Sequence, residues 1–164
     1  MSKIIRGKVL KVGDNINTDY IIPGRYLDLY EPEELGPHAF EAYGDYQEKV
    51  KGHSIIIGGE NFGLGSAREQ APNALKGAGV AAVIAKSFAR IFYRNTVNVG
   101  IAAIECREAA EAICGDEEIE IDLVRGTILR KDNTFSFPVF PKEVRELLDA
   151  GGMAPYLKKK LGLR

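Results

Sequence analysis

The chain has no tryptophan, two cysteines (Cys106 and Cys114) and two histidines (His38 and His53) in 164 residues. Two cysteines without a C-x-x-C pair make no disulfide framework and suit a reducing, cytoplasmic setting. With so few histidines, no Ser-His-Asp set is evident. His53, beside Lys51-Gly52, reads as a solvated loop residue, and His38 receives no role. Long apolar runs are missing as well, so no membrane span is expected, and Met1–Arg6 lacks the apolar core of a signal peptide. Nor is there charge of one dominant sign. Twenty-two basic and 23 acidic residues are mixed to a net −1, which leaves no basic face for nucleic acid. Repeats, linkers and low-complexity segments are absent. What the chain does have is 45% hydrophobic residues, enough to bury the core of a single domain over residues 1–164.

Element order follows from period and punctuation. Lys3–Val12 alternates apolar and polar residues, the pattern of a half-buried strand. Pro32–Leu35 starts a short helix, with proline in its first turn, and Ala39–Tyr46 resumes it after Gly36-Pro37. His53–Gly58, Val80–Ala85 and Gly100–Cys106 are apolar runs suited to strands covered on both faces. Helices are expected over Ala67–Gly79, Ser87–Asn95 and Glu108–Cys114. Both cysteines read as small core residues. Glu118–Leu123, Thr127–Lys131 and Phe135–Phe140 form an antiparallel meander. Pro141 then opens a helix with Val144, Leu147 and Leu148 on one face. The expected fold is α/β, with buried parallel strands and an added antiparallel sheet.

Residues 61–68 read N-F-G-L-G-S-A-R between an apolar run and a helix-forming segment. Gly63 and Gly65 permit positive φ and close backbone approach. Free amides at such a turn, with Ser66 and Arg68 beside them, suit a carboxylate-bearing ligand. The Rossmann pattern fails because Arg68 stands at its third glycine, and no Walker G-K-[ST] is present. Ser66-x-x-Glu69 is equally a capping box. Arg68 favours the functional reading, since a cation at a helix amino end opposes the dipole unless an anion sits nearby. For Ser66 to act as a base it must become an alkoxide, which surrounding N–H donors and a guanidinium would stabilise.

D-N-I-N-T-D-Y-I-I-P-G-R-Y-L, N-F-G-L-G-S-A-R-E and A-K-S-F-A-R-I-F-Y-R-N-T-V-N-V-G occur in that order. Together they resemble a family comprising the small subunits of 3-isopropylmalate dehydratase and homoaconitase and the mobile C-terminal domain of aconitase. The resemblance runs from about Arg6 to Leu161. It implies a swivelling, three-layer β/β/α domain and a hydro-lyase that moves a hydroxyl between adjacent carbons of a hydroxydicarboxylic acid. It further implies a large catalytic subunit, in a heterodimer or heterotetramer, holding a [4Fe–4S] cluster. By position, Ser66 matches the serine that takes the proton α to a carboxylate. Arg68 matches the arginine that clamps a carboxylate, with Gly65 and Ala67 beside it. Asp19 matches an aspartate that faces a histidine of the partner; by itself it reads equally well as an Asx-turn residue.

Two departures from the family pattern bear on substrate. Ala67 replaces the second serine of aconitases, which removes one hydroxyl contact. In the loop Tyr26-Leu27-Asp28-Leu29-Tyr30, Asp28 stands where homoaconitase-like chains have an arginine. An anion there repels a third carboxylate, while Leu27, Leu29 and Tyr30 suit a branched alkyl group. Isopropylmalate is therefore favoured over homoaconitate, with dimethylmalate a close alternative. Arg25 is a further candidate for carboxylate contact and equally a surface ion-pair residue. An aconitase-type cluster needs three thiolates, so this chain is expected to bind none and to lack metal ligands of its own. Readings from other classes are a stand-alone anion- or nucleotide-binding module and an RNA-binding regulator.

Overall fold

The apolar runs become strands. The computed structural model, which describes residues 3–163, contains β1 (Ile4–Lys11), β2 (Ile55–Ile57), β3 (Ala82–Ala85), β4 (Ala102–Glu105), β5 (Glu118–Asp122), β6 (Thr127–Arg130) and β7 (Asn133–Ser136). They make one sheet in the order β4-β3-β2-β1-β5-β6-β7. β1 joins its two halves, running parallel to β2 on one edge and antiparallel to β5 on the other. The buried parallel strands and the added antiparallel strands are therefore both present. The helices are α1 (Thr18–Ile21), α2 (Pro32–Leu35), α3 (Gly44–Val50), α4 (Gln70–Gly77), α5 (Arg90–Asn98), α6 (Arg107–Ala112), α7 (Lys142–Ala150) and α8 (Met153–Lys160). No helix among the described residues is long and apolar enough to cross a membrane.

Side chains of β2 alternate between two cores, which is why its sequence is apolar throughout. Ile55 and Ile57 join Ala109 and Ala110 of α6 and Leu147 and Leu148 of α7. Ile56 points the other way, toward Ala71, Ala74 and Leu75 of α4 and Leu35 of α2. Ile56 is fully buried. Ile56→Val deletes one methylene there and is expected to cost about 1 kcal/mol. Urea denaturation checks this, since the midpoint should fall while the slope stays constant.

Several boundaries differ from the sequence reading, each for a local reason. α4 starts at Gln70 instead of Ala67, because residues 66–68 are held by the site described below. Residues 39–43 turn before α3 begins at Gly44. The last strand starts at Asn133, directly across from Arg130, because Lys131 adopts a positive φ and closes a tight turn. Phe137 and Phe140 leave the ladder near Pro138 and pack into the core, as a proline that cannot donate requires. Cys106 is buried as expected, but Cys114, beyond the end of α6, is exposed. His53 is not a solvated loop residue. Its side chain is 12% exposed and its Nε2 lies 2.7 Å from Asp116 Oδ1, a contact that holds the Asp116 carboxyl below its ordinary range.

Candidate active site

Loops leaving the carboxyl ends of β1, β2 and β3 carry the motifs, and backbone pairing laces them together. Asn17 bridges Leu64, and Phe62 bridges Phe88, both in parallel. Gly63 N–H donates to the Ile16 carbonyl at 2.7 Å, Thr18 N–H to Leu64 at 2.9 Å, and Ala89 N–H to Phe62 at 2.9 Å. The glycines make this approach possible. Gly63 has φ +85°, and a Cβ there would lie 2.0 Å from the Phe92 ring; Gly65 has φ +104°, with Asn17 Oδ1 2.4 Å from a built Cβ. No side chain fits either place without displacing a neighbour. Glu60 secures the start of the turn through Ser87 and Arg107. Its carboxyl is held low, first by the Ser87 hydroxyl and then by the guanidinium.

Ser66 stands exposed on this framework. Its carbonyl accepts from the Thr18 hydroxyl at 3.0 Å and from the Arg68 N–H at 2.8 Å. It is not a helix cap. The residue in that position is Glu69, which makes no side-chain capping bond, so the S-x-x-E box is not formed. The amides of Gly65, Ser66 and Ala67 donate to no other backbone carbonyl among the described residues. Free N–H groups in residues that line a cleft are donors available to an anion.

Arg68 folds back toward α1. Its Nη1 lies 2.7 Å from Asp19 Oδ1 and 3.3 Å from the Ile22 carbonyl. The arginine side chain is 17% exposed, while that of Asp19 is 55% exposed. Asp19 is itself placed by Asn17, whose side chain accepts from the Asp19 N–H at 2.9 Å. Gly24 also faces the guanidinium, with both terminal nitrogens 3.8 Å from a built Cβ.

A cleft of about 230 Å³ opens between Ser66, Ala67 and Arg68 on one wall and the start of α5 on the other. Thr18, Arg90, Ile91 and Asn95 line it too. Reading for chemistry passed over all four, although Thr18 neighbours Asp19 and the others sit inside the third motif. Residues 25–30 lie apart from this lining. Arg25 pairs with Glu41, and the Tyr26 hydroxyl donates to the same carboxylate at 2.8 Å. His38 stacks on Tyr26, with ring centroids 3.9 Å apart. The Glu41 carboxyl is thereby held below its ordinary value, chiefly by the Tyr26 hydroxyl. Gln70 anchors the Leu27 carbonyl at 3.0 Å, and Tyr30 projects into solvent over a separate groove.

A wider groove of about 670 Å³ lies beside Tyr20, Tyr43 and Tyr46, but its charged lining is Asp14 and Asp45. Without a cation it does not suit a dicarboxylate. No trio of His, Cys, Asp or Glu among the described residues could hold a metal ion. Cys106 is buried against Glu108 and the Ser136 carbonyl, and Cys114 faces solvent. These residues do not fit an iron–sulfur cluster.

Comparison with known proteins identifies the family. The aconitase C-terminal domain family matches residues 2–109. An isopropylmalate/citramalate isomerase small subunit of Methanocaldococcus jannaschii is 48% identical, covering 98% of each chain. A 3-isopropylmalate dehydratase small subunit of Caldicellulosiruptor saccharolyticus is 47% identical over 96% of this chain and 93% of its own. That of Aquifex aeolicus is 47% identical over 98% of both. A crystal structure of 3-isopropylmalate dehydratase from M. jannaschii superposes with a TM-score of 0.87 at 44% identity, covering 97% of this chain and 96% of that one. The chain belongs to the aconitase C-terminal domain family.

Proposed function

We propose that this chain is the small subunit of a two-component hydro-lyase that interconverts 2-isopropylmalate and 3-isopropylmalate in leucine biosynthesis. One observation carries the reading: Ser66, Arg68 and the unengaged amides of residues 65–67 line a single cleft in a chain whose full-length relatives bear that name. In the forward direction a C–H bond α to a carboxylate breaks and its proton passes to Ser66 Oγ. The electron pair forms the alkene as the hydroxyl departs, and re-addition with the positions exchanged gives the isomer. The amides of Gly65, Ser66 and Ala67 favour the charged oxygen, and Arg68 holds a carboxylate so that the proton faces the serine.

Among the described residues no group of His, Cys, Asp or Glu could hold a metal ion to take the hydroxyl. That chemistry falls to a [4Fe–4S] cluster on the large subunit, assembled with this chain as a heterodimer or heterotetramer in the cytoplasm. Asp19 points an oxygen at Arg68 and remains exposed enough to meet a partner's histidine as well. Asp19→Asn is expected to weaken assembly about tenfold. Titration of activity against the large subunit would show it, and an unchanged curve would remove Asp19 from the interface. The loop Tyr26–Tyr30 lies outside the cleft lining of this chain. It meets a substrate only in the assembled enzyme, where Leu27, Leu29 and Tyr30 suit a branched alkyl group and Asp28 repels a third carboxylate.

Anaerobic co-expression with the large subunit tests the reading. Isopropylmalate, dimethylmalate, citramalate and homoaconitate are then compared as substrates. Isopropylmalate should have the highest kcat/KM, and this chain alone should be inactive. Preference for homoaconitate, or full activity without the partner, would overturn the assignment.

A further inference from the structure

Proton transfer to Ser66 requires its hydroxyl to be held in one place, yet the residue before it is a glycine. We propose that Thr18 is the positioning residue for this step, its buried hydroxyl fixing the turn that presents Ser66 to the substrate; this inference rests on the functional reading above.

Gly65 adopts φ +104°, and glycine has more backbone freedom to lose than any other residue. Thr18 restrains the chain on both sides of it. Its N–H donates to the Leu64 carbonyl at 2.9 Å, and its hydroxyl donates to the Ser66 carbonyl at 3.0 Å. The same carbonyl accepts from the Arg68 N–H at 2.8 Å, so both of its lone pairs are engaged. A peptide group is planar and trans. Holding the Ser66 carbonyl toward Thr18 therefore turns the Ala67 N–H to the opposite side of that plane, where it donates to no backbone carbonyl among the described residues. One contact thus sets both the proton acceptor and a neighbouring donor for the charged oxygen.

Burial suits Thr18 to this task. It is 1% exposed, and a hydroxyl out of water is costly unless it finds a partner. The Ser66 carbonyl is that partner. A β-branched side chain also leaves the hydroxyl few other rotamers. The carbonyl of Thr18 accepts from the Ile22 N–H at 3.0 Å, which ties the residue into α1. Asp19, next in sequence, pairs with Arg68, so adjacent residues of α1 steady the serine and the clamp.

Thr18→Val keeps the shape of the side chain and removes the donor. In the assembled enzyme it should lower kcat about 10- to 100-fold with KM within a few-fold, as a small misplacement of a reacting group implies. Activity is expressed per assembled complex, counted by size-exclusion chromatography, so that poor assembly does not imitate the effect. Thr18→Ser should restore most of the loss, and Thr18→Cys, whose thiol is a weak donor, should fall between. A residue that acts only through Ser66 has nothing left to position once the hydroxyl is gone. Thr18→Val should therefore cause no further loss of kcat in the Ser66→Ala background, whereas a merely structural role would lower it again. Wild-type kcat in Thr18→Val overturns the assignment, as does a loss confined to KM or a full additional loss in the Ser66→Ala background. If Thr18→Val does not assemble, Thr18→Cys decides by the same readouts, and wild-type kcat there overturns it. If Ser66→Ala loses turnover and Thr18→Val does not, only this inference falls. If Ser66→Ala is fully active, or wild type turns over no hydroxydicarboxylate, the functional reading fails and this inference falls with it.

Discussion

Ser66→Ala, assembled with the large subunit, is expected to lose about 10³-fold or more in kcat, the scale of a general base, with KM little changed. The structure makes this substitution unusually clean. Ser66 takes part in the local fold through its carbonyl, which accepts from Thr18 and from the Arg68 N–H. Its hydroxyl caps nothing, because α4 begins beyond Glu69. Loss of an N-cap would cost about 1 kcal/mol and lower the melting temperature by several degrees. Removal of a hydroxyl exposed to a cleft should leave the melting temperature in place. Activity and thermal unfolding measured on the same preparation therefore separate the two roles. A fully active variant returns the proton acceptor to the partner, and a destabilised one returns Ser66 to the scaffold.

The sheet was legible because its signals are local. Apolar runs such as Ile55-Ile56-Ile57 and Ala82–Ala85 announce buried strands by composition, and the meander is marked by Arg125-Gly126 and Asp132-Asn133. The same locality explains the errors. S-A-R-E reads as the start of a helix, yet Thr18, distant in sequence, draws the Ser66 carbonyl away and delays α4 until Gln70. A cation at a helix start meets the positive end of the dipole, but Arg68 does not hold that position, since α4 begins at Gln70. Arg68 precedes the helix, and the arginine that stands at a helix start beside the cleft is Arg90. Pairings between distant residues carry no period or spacing. Asp19 with Arg68 and Arg25 with Glu41 emerge only once the loops from β1 and β2 are laced together. Cys114 is exposed for a similar reason, since α6 ends at Ala112 and the chain turns outward before β5.

Arg68→Ala is expected to lower kcat/KM by about 10²- to 10³-fold, through both a higher KM and a lower kcat, because charge-assisted hydrogen bonds contribute about 1.5–3 kcal/mol each. Both parameters move because a clamp that orients the reacting carbon acts in the ground state and more strongly in the transition state. Arg68→Lys should recover part of KM and little of kcat, since an ammonium supplies charge without a planar fork. Asp19 decides how these numbers are read. It pairs with one terminal nitrogen of the guanidinium, so a substrate carboxylate must share Arg68 or displace it. Asp19 is half exposed, so Asp19→Asn should unfold close to wild type. Arg68 is largely buried and also donates to the Ile22 carbonyl, so Arg68→Ala should lower the melting temperature by a few degrees. If Asp19 competes with substrate, Asp19→Asn lowers KM at saturating large subunit, and the effect vanishes in the Arg68→Ala background. If Asp19 instead steadies the clamp, Asp19→Asn raises KM, again only where Arg68 is present. Either sign makes the pair one functional unit, and additive effects in the double variant would separate Asp19 from the clamp.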